Sequence, residues 1–227
     1  MAPIKLSVLV PVYNEAAQLP EQLERLLALP EDCEFVFADD ASDDGSLQYL
    51  ESLTDPRVSL LRAPRNQGKG AAVRRALQAA SGRFVAIQDA DLEYHPRDLL
   101  RLLASVERDG ARVAFGYRDF SGQRLLLRWG NRFITWVANR IYGADLRDME
   151  TCYKLLDREL ALSLELESNG FEIEAEITAK LLLAGERIVQ LPISYAPRRE
   201  GKKLSVWRDG PMALLTLLAY RRGKAGQ

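Results

Sequence analysis

Two aspartates one residue apart, Asp89 and Asp91, follow Arg83–Gln88 (RFVAIQ), an apolar run that reads as a buried strand. The residues after them, His95 to Leu100, read as a helix start with Pro96 in the first turn. Carboxylates at the carboxyl end of a strand in an α/β chain stand where such sheets bind ligands. They are hard oxygen donors, suited to a Mg²⁺ or Mn²⁺ that also holds substrate phosphates. Asp-x-Asp also serves as a turn cap, so the surrounding loops must separate the two readings.

Three further loops carry chemistry. After the strand Ser7–Val12 come Pro11, Tyr13, Asn14 and Glu15. A rigid proline, an aromatic face and a carboxylate can stack a base or sugar and accept its hydrogen bonds. The same residues also read as a helix entry, with Asn14 as cap and Glu15 in the first turn. After Glu34–Ala38, the stretch Asp39–Asp44 holds four acids in six residues. These repel one another unless cations or hydrogen-bond donors gather there, and a nucleobase N–H is such a donor. Asp43, Asp44 and Ser46 read as caps for the next helix, whereas Asp39 and Asp40 are the ligand candidates. After Val58–Leu61, Arg65–Ala72 (RNQGKGAA) fits neither G-x-x-x-x-G-K-[ST] nor G-x-G-x-x-G. It still sets two glycines and Lys69 at a helix N-terminus, which favours anions. Lys69 is therefore a phosphate contact or an exposed first-turn lysine.

The elements that must position these loops alternate regularly. Strands are expected at Ser7–Val12, Glu34–Ala38, Val58–Leu61, Phe84–Gln88 and Arg112–Gly116. Helices are expected at Ala16–Leu29, Ser46–Leu53, Lys69–Ala80 and Pro96–Arg108. Continuous apolar strands between helices imply a mostly parallel sheet covered on both faces. The second half differs: Gln123–Tyr142 is apolar and aromatic with arginines and no acid. A helix at Phe171–Ala184, a strand at Ile188–Ser194 and a short apolar helix at Pro211–Tyr220 with a basic tail follow. At 227 residues and 47% hydrophobic composition, one domain with a C-terminal extension is expected.

A net charge of −1 excludes a global pull toward nucleic acid. Cys33 and Cys152 lie in no ligand spacing and read as buried reduced thiols of a cytoplasmic protein. Leu6–Val12 is too short for a leader, and no run reaches the ~18 apolar residues of a spanning helix. A chain that is cytoplasmic, or peripheral on the cytoplasmic face of a membrane, is the expectation.

Together, Val10–Glu15 (VPVYNE), Asp39–Ser46 (DDASDDGS), Asn66–Gly70 (NQGKG) and Asp89–Asp91 resemble, in order, the inverting family-2 glycosyltransferases. Asp148–Lys154 (DMETCYK), Gly170–Glu176 (GFEIEAE), Leu191–Tyr195 (LPISY), Glu200–Lys203 and Trp207–Gly210 resemble the branch of dolichyl-phosphate mannose synthase and polyprenyl-phosphate glycosyltransferases. The resemblance covers roughly residues 4 to 220. It implies a GT-A nucleotide-sugar fold, with residues 1–120 as the nucleotide-sugar-binding half. Residues 121–227 would be the acceptor-binding half with interfacial helices, in one continuous catalytic domain.

The resemblance further implies that Pro11, Tyr13, Glu15 and Asp39 hold the nucleoside, and that Asp89 and Asp91 handle metal and diphosphate. Many relatives have glutamine where this chain has Glu93, the side chain that can complete the metal shell, and Glu93 adds a negative charge there. The implied reaction is metal-dependent, inverting transfer of a hexose from a GDP- or UDP-sugar to a polyprenyl phosphate. That acceptor phosphate has a second pKa of about 6 and arrives largely dianionic, so no strong base is needed. Arg118, Arg132, Arg198, Lys202 and Lys203 are candidates to gather the anionic substrates, and Asp148 and Glu150 to act as base or orient the sugar. Trp129, Phe133, Trp136 and Tyr142 among arginines suit a membrane surface, with a membrane-anchoring partner as a further option. The rivals are the same fold with a soluble saccharide or protein acceptor, and a non-catalytic sugar-nucleotide-binding protein.

Overall fold

Among the described residues seven strands are formed: β1 Leu6–Val12, β2 Cys33–Asp39, β3 Val58–Arg62, β4 Phe84–Ile87, β5 Val113–Arg118, β6 Lys154–Asp157 and β7 Ile188–Ile193. The computed structural model describes residues 3–119, 125–198 and 206–224. The strands make one sheet in the order β3-β2-β1-β4-β6-β5-β7. Pairing is parallel for β1 with β2 and β4, for β2 with β3, and for β5 with β7; β6 runs antiparallel between β4 and β5. In β1 every residue but Pro11 is buried, so both faces of the sheet are covered, as continuous apolar strands require. Each buried Leu, Val or Phe in β1 and β2 contributes about 1.5–3 kcal/mol. That core anchors the acidic loops at the strand ends.

The chain leaves β1 toward β2 and β3 on one side and returns to β4 on the other. This reversal opens a crevice at the carboxyl ends of β1, β2 and β4. Asp39, Asp40, Asp89 and Asp91 all stand at that edge. Helices α1 Leu19–Leu27, α2 Ser46–Glu51, α3 Lys69–Ala79 and α4 Arg97–Asp109 connect the first five strands. Helices α5 Leu125–Tyr142, α6 Arg158–Ser163, α7 Ile173–Leu183 and α8 Val206–Ala219 follow, and a π-type turn, Tyr220–Lys224, closes the described chain.

Four sequence expectations change. The first helix begins at Leu19, because Asn14 does not cap it: Asn14 exchanges hydrogen bonds with Asp43, and the Glu15 amide donates to Ser46 Oγ. The loop after β1 is thereby tied to the loop after β2. Strand β6 carries the charged Lys154 in the core, where its ammonium donates to the Met149 and Thr151 carbonyls and to Glu174 Oε2 at 2.9, 2.5 and 2.7 Å. An apolar pattern could not reveal it. Helix α6 starts where Asp157 Oδ1 accepts from the Leu160 amide. Helix α8 starts at Val206 and includes Pro211.

Candidate active site

A cavity of about 420 Å³ occupies the crevice, lined by residues from all the early loops and from the second half. Of the residues singled out by sequence, Pro11, Tyr13, Glu15, Asp40, Lys69, Asp89, Asp91, Glu93, Arg118, Glu150 and Arg198 line it. Asp39 and Asp148 are buried behind the wall. Arg132 is exposed on α5, one residue from the lining Asn131. Lys202 and Lys203 lie outside the described residues.

At the phosphate side, Gly68 adopts φ +96°, and a Cβ on Gly68 or Gly70 would run into the carbonyl oxygens of Asn169 or Ser168. Glycine lets loop 168–170 seat against the start of α3, where the Ala71 amide donates to Asn169 O. Lys69 then points inward, its ammonium 2.8 Å from Asp89 and 3.1 Å from Glu174. Burial alone would lower its pKa, but Asp89 and Glu174 outweigh that and raise it, so the lysine stays charged.

Asp91 has no such cation against it. Burial first, then repulsion from Asp89 and Glu93, pushes its carboxyl up to about 7. Glu93 faces the other way in its bonding: its Oε1 accepts from the Arg198 amide at 2.7 Å and its Oε2 from Tyr195 Oη at 3.0 Å. It fastens the segment after β7 to the rim. Arg198 crosses from there to Glu15, with Nη1 at 2.9 and 3.1 Å from the two carboxylate oxygens.

Two of the acid pairs singled out by sequence, Asp39–Asp40 and Asp148–Glu150, divide in the same way. Asp40 accepts from the Gln67 and Gly68 amides and from Arg75, whereas Asp39 keeps a buried Oδ1 without a hydrogen bond. Asp148 accepts Arg118 Nε and Nη2 at 2.7 and 2.9 Å, whereas Glu150 keeps a buried Oε1 without one. Burial, only partly offset by Lys154, pushes Glu150 up to about 7. An orphaned buried acceptor is costly unless a ligand fills it.

Lining residues that sequence reasoning left without a role include Glu174, Cys152, Tyr94, Phe171 and Tyr195. Glu174 left a trace: acids at 174 and 176 interrupt an otherwise apolar helix, and both are buried. Elsewhere, Trp129, Phe133 and Trp136 stand on one face of α5, exposed at 66%, 54% and 60%, and α8 adds exposed Met212, Leu215 and Leu218. No helix among the described residues is long and apolar enough to cross a membrane.

A reversal-point crevice with a carboxylate pair, an anion-favouring glycine loop and an aromatic rim defines an α/β protein with its candidate site at the carboxyl ends of its strands. The chain belongs to glycosyl transferase family 2, whose family model matches residues 7–162. It is 30% identical to the undecaprenyl-phosphate 4-deoxy-4-formamido-L-arabinose transferase of Pseudomonas fluorescens, over 94% of this chain and 62% of that one. It is 28% identical to the undecaprenyl-phosphate mannosyltransferase of Micrococcus luteus, over 88% and 86%. The fold matches glucosyl-3-phosphoglycerate synthase of Mycobacterium tuberculosis, solved with Mn²⁺ and UDP, with a TM-score of 0.74 at 20% identity over 96% and 80% of the two chains. The chain thus spans less than two thirds of the first relative's length.

Proposed function

We propose that this chain transfers a hexose from a nucleotide diphosphate sugar to a polyprenyl phosphate, with inversion and with a divalent cation. The observation that carries the reading is the convergence of Asp89, Asp91, Lys69 and the Pro11–Glu15 rim on one cavity. The nucleoside lies against Pro11, Tyr13 and Glu15, with Asp39 buried behind them. Two relatives named for undecaprenyl-phosphate transfer support the acceptor class.

The donor set fits a cation completed by substrate. Asp89 and Asp91 offer hard oxygens, and burial, then the neighbouring Asp89 and Glu93, raise the Asp91 carboxyl. Among the described residues no three acidic, His or Cys side chains form a ready-made cage, as expected for Mg²⁺ or Mn²⁺ held partly by phosphates. When bound, the cation stabilises charge on the departing diphosphate. Lys69, charged and buried beside Asp89, adds to that stabilisation.

The acceptor's phosphate oxygen attacks the anomeric carbon as the bond from that carbon to the diphosphate oxygen breaks. Because the nucleophile arrives charged, Asp148 need not take a proton; it holds Arg118 toward the cavity, where a guanidinium can grip phosphate. Arg132, Arg198, Lys202 and Lys203 complete the anion-gathering set. Glu93 serves the metal side through its charge and the rim through its hydrogen bonds. The exposed aromatic face of α5, with Met212, Leu215 and Leu218 of α8, rests on the lipid surface that carries the acceptor. A thermal-shift panel of GDP-mannose, UDP-glucose and UDP-N-acetylglucosamine with Mg²⁺ or Mn²⁺ tests the donor side. Cation-dependent stabilisation by one nucleotide series is expected; no shift with any of them contradicts the reading.

A further inference from the structure

The floor of the cavity is rich in acceptors and poor in available donors. Glu150 and Glu174 both line it, and in each the Oε1 is buried and accepts no hydrogen bond. Glu174 Oε1 has only the ionic contact with Lys69 at 3.1 Å. The two lysines nearby have committed their protons. Lys69 bridges Asp89 and Glu174, and the three donors of Lys154 are spent on two carbonyls and Glu174 Oε2. Arg118 gives Nε and Nη2 to Asp148. A ligand that completes this floor has to bring O–H or N–H groups of its own.

Resting on the reading of the cavity as a nucleotide-sugar site, we infer that Glu150, with Glu174 beside it, accepts a hydrogen bond from the C6 hydroxyl of the donor sugar and selects neutral hexoses over uronates. That hydroxyl fills the orphaned acceptor. A uronate keeps its ring hydroxyls but carries at C6 a carboxylate, which brings only acceptors and adds negative charge to a floor already lined by Asp89, Asp91, Glu150 and Glu174. Sites built to bind a hydroxyl discriminate strongly against analogues that leave the buried acceptor unpaired.

Isothermal titration with Mn²⁺ tests this, using UDP, UDP-glucose and UDP-glucuronate, and GDP, GDP-mannose and GDP-mannuronate. Affinity is read relative to the bare diphosphate within each protein, so that loss of active protein cancels. In at least one series the neutral sugar nucleotide is expected to bind at least tenfold more tightly than the uronate. Glu150→Gln, which removes the charge and adds an N–H donor, is expected to shrink that ratio to threefold or less. Glu150→Asp, which keeps the charge, should keep the rejection. Uronates bound as tightly as neutral sugars in both series, or a ratio unchanged in Glu150→Gln, overturns the inference. Failure of both UDP and GDP to bind instead overturns the assignment of the cavity itself.

Discussion

Asp39–Asp40 at the end of β2 and Asp148–Glu150 before β6 place the same functional group twice beside one cavity, with different partners. At β2 the satisfied member, Asp40, is held by two backbone amides and by Arg75, a partly exposed arginine. Before β6 the satisfied member, Asp148, is held by Arg118, and both side chains are almost wholly buried. In both regions the other acid keeps a bare acceptor. The satisfied acids hold loops and cations in place; of the bare ones, Glu150 lines the cavity, whereas Asp39 lies behind its wall. What differs is the cost of losing the holder: water can replace Arg75 or an amide at the rim, but it reaches the Arg118–Asp148 pair poorly.

The largest expected effect follows from that difference. Asp148→Ala leaves a buried guanidinium without its carboxylate and should destabilise the protein by about 3–5 kcal/mol. Asp40→Ala should cost about 1.5–3 kcal/mol, the range for hydrogen bonds to a charged group. Urea denaturation of the two variants measures both, and equal costs would erase the contrast.

Next, Gly70→Ala drives a Cβ into the Ser168 carbonyl and displaces the loop whose amides satisfy Asp40. Overpacking of this kind costs about 1–3 kcal/mol. Combined with Asp40→Ala in a double-mutant cycle, it should be less than additive; strict additivity would separate the loop from the acid.

The smallest effect is a pH slope carried by two buried acids beside the cavity. Glu150 and Asp91 have folded-state pKa values of about 7 against about 4 when unfolded. Between those values the folded chain holds protons that the unfolded chain has lost, so stability falls as pH rises from about 4 to about 7. The slope is at most about 1.4 kcal/mol per pH unit for each group. Melting in EDTA should show the decline, and Glu150→Gln should flatten it. A slope of opposite sign would place the charge elsewhere.

The sequence made much of this legible. Six of the seven strands and the loops after β1, β2, β3 and β4 follow from apolar runs bounded by polar residues. Strand β6 does not, because its Lys154 is buried by partners that no local pattern displays. The division of the acids was equally hidden: Asp40 meets amides 27 and 28 positions away, Asp148 an arginine 30 away, and Glu93 the Tyr195–Arg198 segment more than 100 away. Residue type announced the carboxylates, and only the fold decides which of them is already used. The membrane-facing reading of α5 was legible as composition, while the exposure of Trp129, Phe133 and Trp136 needed the packing of α5 against α8.

Asp91 ties the carboxylates of the cavity to chemistry most directly. Transfer of labelled hexose from the nucleotide sugar selected by thermal shift to a polyprenyl phosphate, with Mn²⁺ or Mg²⁺, should proceed with the native chain. It should fall at least ~10²-fold in Asp91→Asn, while that variant melts no lower than the native chain. Transfer at the native rate by a folded Asp91→Asn protein would contradict the account.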